Sequence, residues 1–315
     1  MTTTKRWGSV FEDKRDWKQY QDELVKRYEI YLDLEWVASW DSELKLMNKG
    51  KRGSPFQFPN SMITFQAFFV EKFTTRGAEA ITRKLESYKL IPQGNDHATI
   101  HRRILKMSLA FATPKRVELH VGTDGSGMKM TNAGEYFQDK YGKARRKFAK
   151  LIITATKDDI LAVDVVVCEK GKASEPKIAE QQLTAIITNE GQIEKVYDDG
   201  AFDTRPYFNF LEKNNIESAI RIRANATTKS GGSYRRKKEV LEFKELEFKD
   251  WSKKKDYGQR WPMTEGHFSG IKRGYGDNAR AKKAENILKE IKRKVWIYDQ
   301  VRKYGRTKLS KNSIL

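Results

Sequence analysis

Residues 150–167 read KLIITATKDDILAVDVVV, and this stretch leaves the chain little choice of fold. Isoleucine, valine and threonine crowd a helical backbone but pack well on a pleated surface. The two apolar runs, 150–156 and 160–167, are separated only by KDD, a hairpin-type turn. An antiparallel strand pair is therefore expected. VELHVG at 117–122 alternates apolar and polar residues and adds a third strand. Downstream, 177–188 reads as a helix, VYDD as a fourth strand, TRPYFNFLEKN as a helix and ESAIRIRA as a fifth strand. Three antiparallel strands followed by β-α-β-α units predict a mixed sheet flanked by helices, of α+β or α/β class. The one cysteine, Cys168, excludes an intramolecular disulfide and leaves no cysteine cluster for zinc. Its apolar surroundings predict a buried packing role.

The region before the sheet is expected to be helical. Trp17, Tyr20, Leu24, Tyr28 and Tyr31 lie at three- and four-residue spacings, so 14–47 reads as helix. KGKRGSPFQFPNS reads as a linker. SMITFQAFFVEKF, GAEAITRKLESYKL and NDHATIHRRILKMSL read as three short helical segments, with the turn IPQGN between the last two. That arrangement predicts a helix-turn-helix with 96–107 as its recognition helix and Arg102 and Arg103 as DNA contacts. The implied domains are a helical segment at 1–50, a helix-turn-helix-like region at 51–113 and a catalytic domain at 114–310. The last carries a basic insertion at about 224–256, in which TTKSGGSYRRKK reads as a flexible loop and LEFKELEFKDW as a hairpin strand or sheet edge. Near the end, Ala284, Leu288, Ile291 and Val295 form a stripe expected to pack.

Charge narrows the partners. The chain has 62 Lys and Arg against 42 Asp and Glu, a net charge of +20. From position 205 onward there are 29 basic and 13 acidic residues, which leaves most of the excess there. Such a balance suits a polyanion, either nucleic acid or an anionic membrane. No apolar run approaches the roughly 18 residues of a spanning helix, and MTTTKRWGSVFEDKRDW has no apolar signal core. Nucleic acid and a cytoplasmic location are the expectation.

Acids at the predicted strand ends suggest chemistry. Asp124 follows the first strand in HVGTDGSGMK, with Gly125 and Gly127 beside it to allow unusual backbone angles and close approach. VYDDGAFDTR places Asp198 and Asp199 at the end of the fourth. Side chains alternate along a strand, so only one of that pair can join Asp124. Asp203 falls in the following turn and could cap the next helix. Two carboxylates brought together cannot both stay ionised cheaply, and a divalent cation removes the difficulty. Mg²⁺ takes oxygen ligands, usually carboxylates, water and a substrate phosphate. A third acid, Glu265, lies near a helix start at Pro262, with Lys272 two turns on along the same face and Tyr257 and Arg260 upstream. The bland alternatives are an Asp-rich turn without function and a surface helix with one unpaired glutamate. His267, two residues from Glu265, is expected on another helix face as a polar surface or DNA contact.

Asp124, Asp199 and Glu265, in strand, strand and helix contexts, resemble the acid triad of the DDE transposases of bacterial and archaeal insertion sequences. The closest group carries Y-x2-R-x3-E-x6-K. This chain has Tyr257-x2-Arg260 and Glu265-x6-Lys272, with four residues instead of three between Arg260 and Glu265. VYDDGAFDTR resembles the second-acid motif, which aligns the catalytic acid with Asp199 and makes Asp198 and Asp203 secondary. The resemblance covers roughly 60–300. It implies a ribonuclease H-like fold with an N-terminal all-helical DNA-binding region. It implies Mg²⁺ or Mn²⁺, two ions, on the three acids, with hydrolysis and strand transfer at the ends of an insertion sequence. Tyr257, Arg260, Lys272 and Arg273 would contact DNA. The partner is double-stranded DNA, both transposon ends and target, and pairing two ends implies a homodimer or higher assembly associated with the nucleoid. Two other readings stay open at the level of sequence. One is a non-catalytic DNA-binding protein descended from such an enzyme. The other is a metal-dependent nuclease outside transposition, for which Glu242-x-Lys244 and Glu247-x-Lys249 on adjacent strands would serve.

Overall fold

The computed structural model describes residues 3–6, 9–12, 15–115, 117–130, 148–168, 174–229 and 231–307. The side chain of Cys168 lies outside this set, and with it the packing role expected there. The chain divides into two compact units, Met1–Met107 with Asp299–Leu315, and Ser108–Tyr298. Among the described residues no helix is long and apolar enough to cross a membrane.

The first unit is helical but not entirely so. An antiparallel hairpin of β1 (Thr3–Arg6) and β2 (Ser9–Glu12) precedes the helices. The expected helix at 14–47 is interrupted. It forms as α1 (Trp17–Lys26), two short 3₁₀ turns, and α2 (Trp40–Asn48). Next comes α3 (Asn60–Ser87), whose backbone breaks at Thr74, where φ is 68°. Gln66 lies within 3.5 Å of Thr82. Along a straight helix these residues would be about 24 Å apart. The helix therefore doubles back at Thr74, and its arms are the first two of the three segments expected. Phe65, Phe68 and Phe69 of the first arm are buried, and rings from Tyr31 and Trp36 pack on them. The third segment is α4 (His97–Ile104), begun by Asp96, whose side chain accepts from the backbone of Ala98 and Thr99, both at 2.9 Å.

The second unit is built on five strands. These are β3 (Glu118–Lys129), β4 (Phe148–Ala155), β5 (Ile160–Cys168), β6 (Gln192–Asp198) and β7 (Glu217–Ile220), in the order β5-β4-β3-β6-β7. β3, β4 and β5 pair antiparallel, while β6 and β7 run parallel to β3. This is the expected mixed sheet flanked by helices. One face is covered by α5 (Glu175–Thr188) and α6 (Arg205–Lys213). There Leu119 and Val121 of β3 meet Leu183, Ile186, Phe208 and Leu211. The other face carries α9 (Glu265–Tyr275) and α10 (Ala284–Arg306), reached after α7 (Tyr234–Lys254) and the single turn α8 (Arg260–Met263). Met128, Leu151 and Ile153 pack there on Phe268, Ile271, Ile291 and Val295. The expected apolar stripe near the end is therefore packing, with Ile287 buried and Ala284 exposed.

Two of the expected elements differ in the second unit. β3 does not stop at Gly122. It stays paired with β4 as far as Lys129 opposite Phe148, so Asp124 lies within the strand, not beyond it. A paired neighbour satisfies the backbone despite the glycines. Neither Gly125 nor Gly127 has a positive φ. The second is LEFKELEFKDW, which is helical, as are the Glu-x-Lys pairs of the nuclease reading. Ser233 caps α7 by accepting from Arg236 N at 3.3 Å. Glutamate, lysine and leucine are good helix formers, and a break at Glu247 (φ 57°) shifts the helical phase. Lys255 pairs with Glu239 and Glu242 at 3.0 Å, and Lys254 with Glu242 at 2.7 Å, so the helix folds back on itself.

Candidate active site

β3 and β6 run side by side, with Val121 aligned to Val196. That is the last paired position; Asp124 follows three residues later within β3, and Asp199 three residues later in the turn just past β6. Asp199 is near enough for its charge to act on Asp124.

Gly122 lets the third acid approach. A β-carbon there would lie 3.0 Å from Thr264, 3.1 Å from Met263 and 3.1 Å from the Tyr197 carbonyl. The absence of a side chain lets the α8–α9 junction rest on β3. Thr264 is buried at that junction, with φ −125° and ψ −66°, and separates α8 from α9. It is the last of the four residues between Arg260 and Glu265, so the extra residue is accommodated at a break between helices. Glu265 starts α9. On the far side, a β-carbon at Gly270 would meet the Tyr298 ring at 2.6 Å, so glycine also brings α9 close to α10.

Arg260 joins two of the acids. Its Nη1 lies 3.3 Å from Asp124 Oδ2, and its Nη2 donates to Glu265 Oε1. Asp124 also accepts from Gly125 N at 2.7 Å. Burial pushes the Asp124 carboxyl up, and the negative charges of Asp199 and Glu265 act in the same direction, against the Gly125 N–H and Arg260. Two other carboxylates are thus close enough to disfavour its ionisation, and a guanidinium fork partly offsets the repulsion. Tyr257 stands beside this group. Its hydroxyl is pushed up to about 12, chiefly by burial, with Asp199 and Asp198 adding to the shift and Arg260 opposing it. Its ring packs on Trp251 and Phe248 of α7.

Asp198 faces the other way. It is fully buried and accepts from Thr123 N at 2.8 Å and Tyr207 Oη at 2.7 Å. Burial raises its carboxyl to about 7, against those two hydrogen bonds. Asp203 is not a helix cap. Its buried carboxylate accepts from Arg236 and from the backbone of Arg223. Nothing in RRKK distinguishes Arg236 from its neighbours, and sequence reasoning missed it. His267 corrects another expectation: it is buried, and its Nε2 donates to the Thr156 carbonyl at 2.9 Å.

The remaining candidates are not gathered at the acids. Lys272 is half-buried on α9, about 10 Å along the helix from Glu265. Arg273 is exposed and donates to Ser269 Oγ. Arg102 and Arg103 belong to the first unit. Arg102 is exposed, but Arg103 is engaged locally, donating to the Phe58 carbonyl at 3.1 Å and Asn60 Oδ1 at 2.9 Å.

The donor set suits a hard divalent cation. Carboxylate oxygens are the ligands Mg²⁺ and Mn²⁺ prefer, and a positive group already lies against two of these acids. Among the described residues no three His, Cys, Asp or Glu side chains are grouped so that they could hold a metal ion as they stand.

Comparison with known proteins adds one strong match. The model of the family described as "Transposase DDE domain" matches residues 116–300, more than half of the chain. A simian T-cell lymphotropic virus intasome in complex with PP2A regulatory subunit B56 gamma is 13% identical, with 65% of this chain and 73% of that chain covered and a TM-score of 0.21. A pre-cleavage Mos1 transpososome is 11% identical, with 95% and 99% covered and a TM-score of 0.23. Likeness at TM-scores that low adds nothing to the family match.

Proposed function

The chain belongs to the transposase DDE-domain family and is a DDE-type DNA transposase, and we propose that Asp124, Asp199 and Glu265 are its catalytic acids. The observation that carries this reading is the Arg260 fork on Asp124 and Glu265, with Asp199 close enough to raise Asp124. The family's chemistry depends on divalent metal. Two ions, Mg²⁺ or Mn²⁺, would be held by the three acids. Bound there, they would activate water and then a DNA 3′-hydroxyl and stabilise the entering and leaving oxygens of an in-line displacement.

The chain's own groups do the rest. Asp124 sits within β3 and Asp199 directly follows β6, so the sheet gives a rigid frame for ligands that must not drift. Glu265 is half exposed at the start of a helix and can adjust to the substrate. Arg260 is at hand to neutralise a phosphate entering beside the acids, and its fork suits phosphate oxygens. Tyr257 orients Arg260 from the side, its ring centroid 6.0 Å from the guanidinium carbon. Lys272 and Arg273 hold phosphates further along α9. The basic helical hairpin α7 follows the backbone, a salt-dependent contribution.

Residues 51–113 read the element's ends, with the exposed Arg102 reaching DNA and Arg103 bracing α4. Residues 114–310 perform the chemistry on double-stranded ends and target. The active form is a homodimer or larger on DNA, in a prokaryotic cytoplasm at the nucleoid. An excision assay tests the reading. The gene and its flanking DNA are placed on a plasmid, and wild type is compared with Asp124→Ala, Asp199→Ala and Glu265→Ala. Wild type alone should release or join the flanked segment while every variant still binds DNA. Excision by any of the three variants at the wild-type level removes that residue from the set.

A further inference from the structure

The turn that carries Asp199 is held at both ends by arginines from outside it. Asp199 Oδ1 accepts from Ala201 N at 2.7 Å. Arg223, just past β7, donates Nε to the Gly200 carbonyl at 2.6 Å and Nη2 to the Ala201 carbonyl at 2.9 Å. Its backbone N–H donates to Asp203 Oδ2 at 3.1 Å. Arg236, in the first turn of α7, completes the arrangement with a fork on Asp203, Nε to Oδ1 at 2.6 Å and Nη2 to Oδ2 at 3.0 Å. The Asp203 side chain is 0% exposed and that of Arg236 12%.

A buried pair of this kind gains little net stability, because both charges leave water. What it supplies is a fixed geometry. The pair joins residues 33 apart in sequence, and it ends four residues after Asp199. Arg223 pins two of the three carbonyls between Asp199 and Asp203 as well, which leaves the turn few alternative conformations.

We propose that Asp203, Arg223 and Arg236 are positioning residues that lock the Asp199 turn to the inserted helix α7, so that the insertion sets the geometry of the second acid. The proposal rests on the reading of Asp199 as a ligand. Partners of this kind, which orient a ligand without touching the ion, change metal affinity or activity by about 10–100-fold when lost.

The test uses the full chain and Mn²⁺ as the probe. Free Mn²⁺ is measured by electron paramagnetic resonance, DNA affinity by gel shift at fixed salt, and thermal unfolding by circular dichroism. Arg236→Lys keeps the charge but loses the fork. It should lower Mn²⁺ affinity by about tenfold or more and leave DNA affinity within about twofold, since the positive charge that α7 offers the backbone is unchanged. Arg236→Gln should also unfold at lower temperature, because Asp203 is left as an unpaired buried charge. Adding Asp203→Asn should recover the unfolding temperature without recovering Mn²⁺ affinity. Wild-type Mn²⁺ affinity in Arg236→Lys would overturn the proposal. So would affinity that returns together with thermal stability in the double variant, which marks the pair as merely structural. Asp199→Ala separates the two claims. If it binds Mn²⁺ as wild type does, the ligand reading itself fails. If it loses Mn²⁺ while the Arg236 variants keep it, only the positioning role fails.

Discussion

The two faces of the sheet treat carboxylates in opposite ways at nearly the same height. On the α5–α6 face Asp198 and Asp164 are absorbed into a closed network. Asp198 is held by Thr123 and Tyr207. Asp164 accepts from Gln182 at 2.8 Å, and the Gln182 carbonyl accepts from Thr154, which meets Thr123 at 2.8 Å. On the α8–α9 face Arg260 bridges Asp124 and Glu265, and Asp199 lies near enough to raise the Asp124 carboxyl. A closed network holds a strand in place. An open group of acids is costly until a cation arrives, which is why we propose this face, and not the closed one, as the site of the chemistry.

The largest expected effect separates the faces by function. Asp124→Asn should lower DNA cleavage by more than about 100-fold, beyond what loss of an outer partner costs. Its unfolding temperature should stay level or rise, because a repelled carboxylate is removed. Gln182→Leu on the closed face should do the reverse: cleavage at saturating metal stays near wild type while stability falls by about 1–3 kcal/mol as buried polar groups lose a partner. Cleavage assays and denaturant melts on both variants check this.

A smaller effect probes how the faces are joined. Gly122→Ala places a methyl against Thr264, Met263 and the Tyr197 carbonyl. Overpacking of this kind costs about 1–3 kcal/mol. It should also push Arg260 and Glu265 away from Asp124, so metal affinity falls more than DNA affinity. Calorimetric metal titration beside a gel shift measures both.

A further effect, on stability alone, is a pH slope. Asp198 is raised to about 7 in the folded chain, against about 3.9 for a free aspartate. Between those values the folded state holds a proton that the unfolded state has lost, so stability falls as pH rises through that window. Asp198→Asn keeps an acceptor for Thr123 and a partner for Tyr207. It should flatten the difference between melts at pH 5 and pH 8. An unchanged slope would assign it to other groups.

Much of the open face was legible in the sequence. β-branched runs fixed the antiparallel strands, and the spacing from Glu265 to Lys272 sits on one helix as expected. The choice of Asp199 over Asp198 needed the motif, since alternation alone separates the two without saying which faces inward. The α7 hairpin was misread because LEFK repeated looks two-residue periodic, while the break at Glu247 lets a helix bury Val240 and Trp251. The break at Thr264, the role of Gly122 and the Asp203–Arg236 pair depend on contacts between distant segments. Short-range patterns carry no trace of them.

The central claim is that Asp124, Asp199 and Glu265 form one metal-dependent site. Its most direct test is single-turnover cleavage of DNA carrying the element's end, with Mg²⁺ titrated, for wild type and Asp124→Asn at saturating protein. The account predicts metal-dependent nicking by wild type, abolished by chelation, and a variant that binds the same DNA but leaves it intact across the titration. Cleavage by Asp124→Asn at the wild-type rate would contradict it.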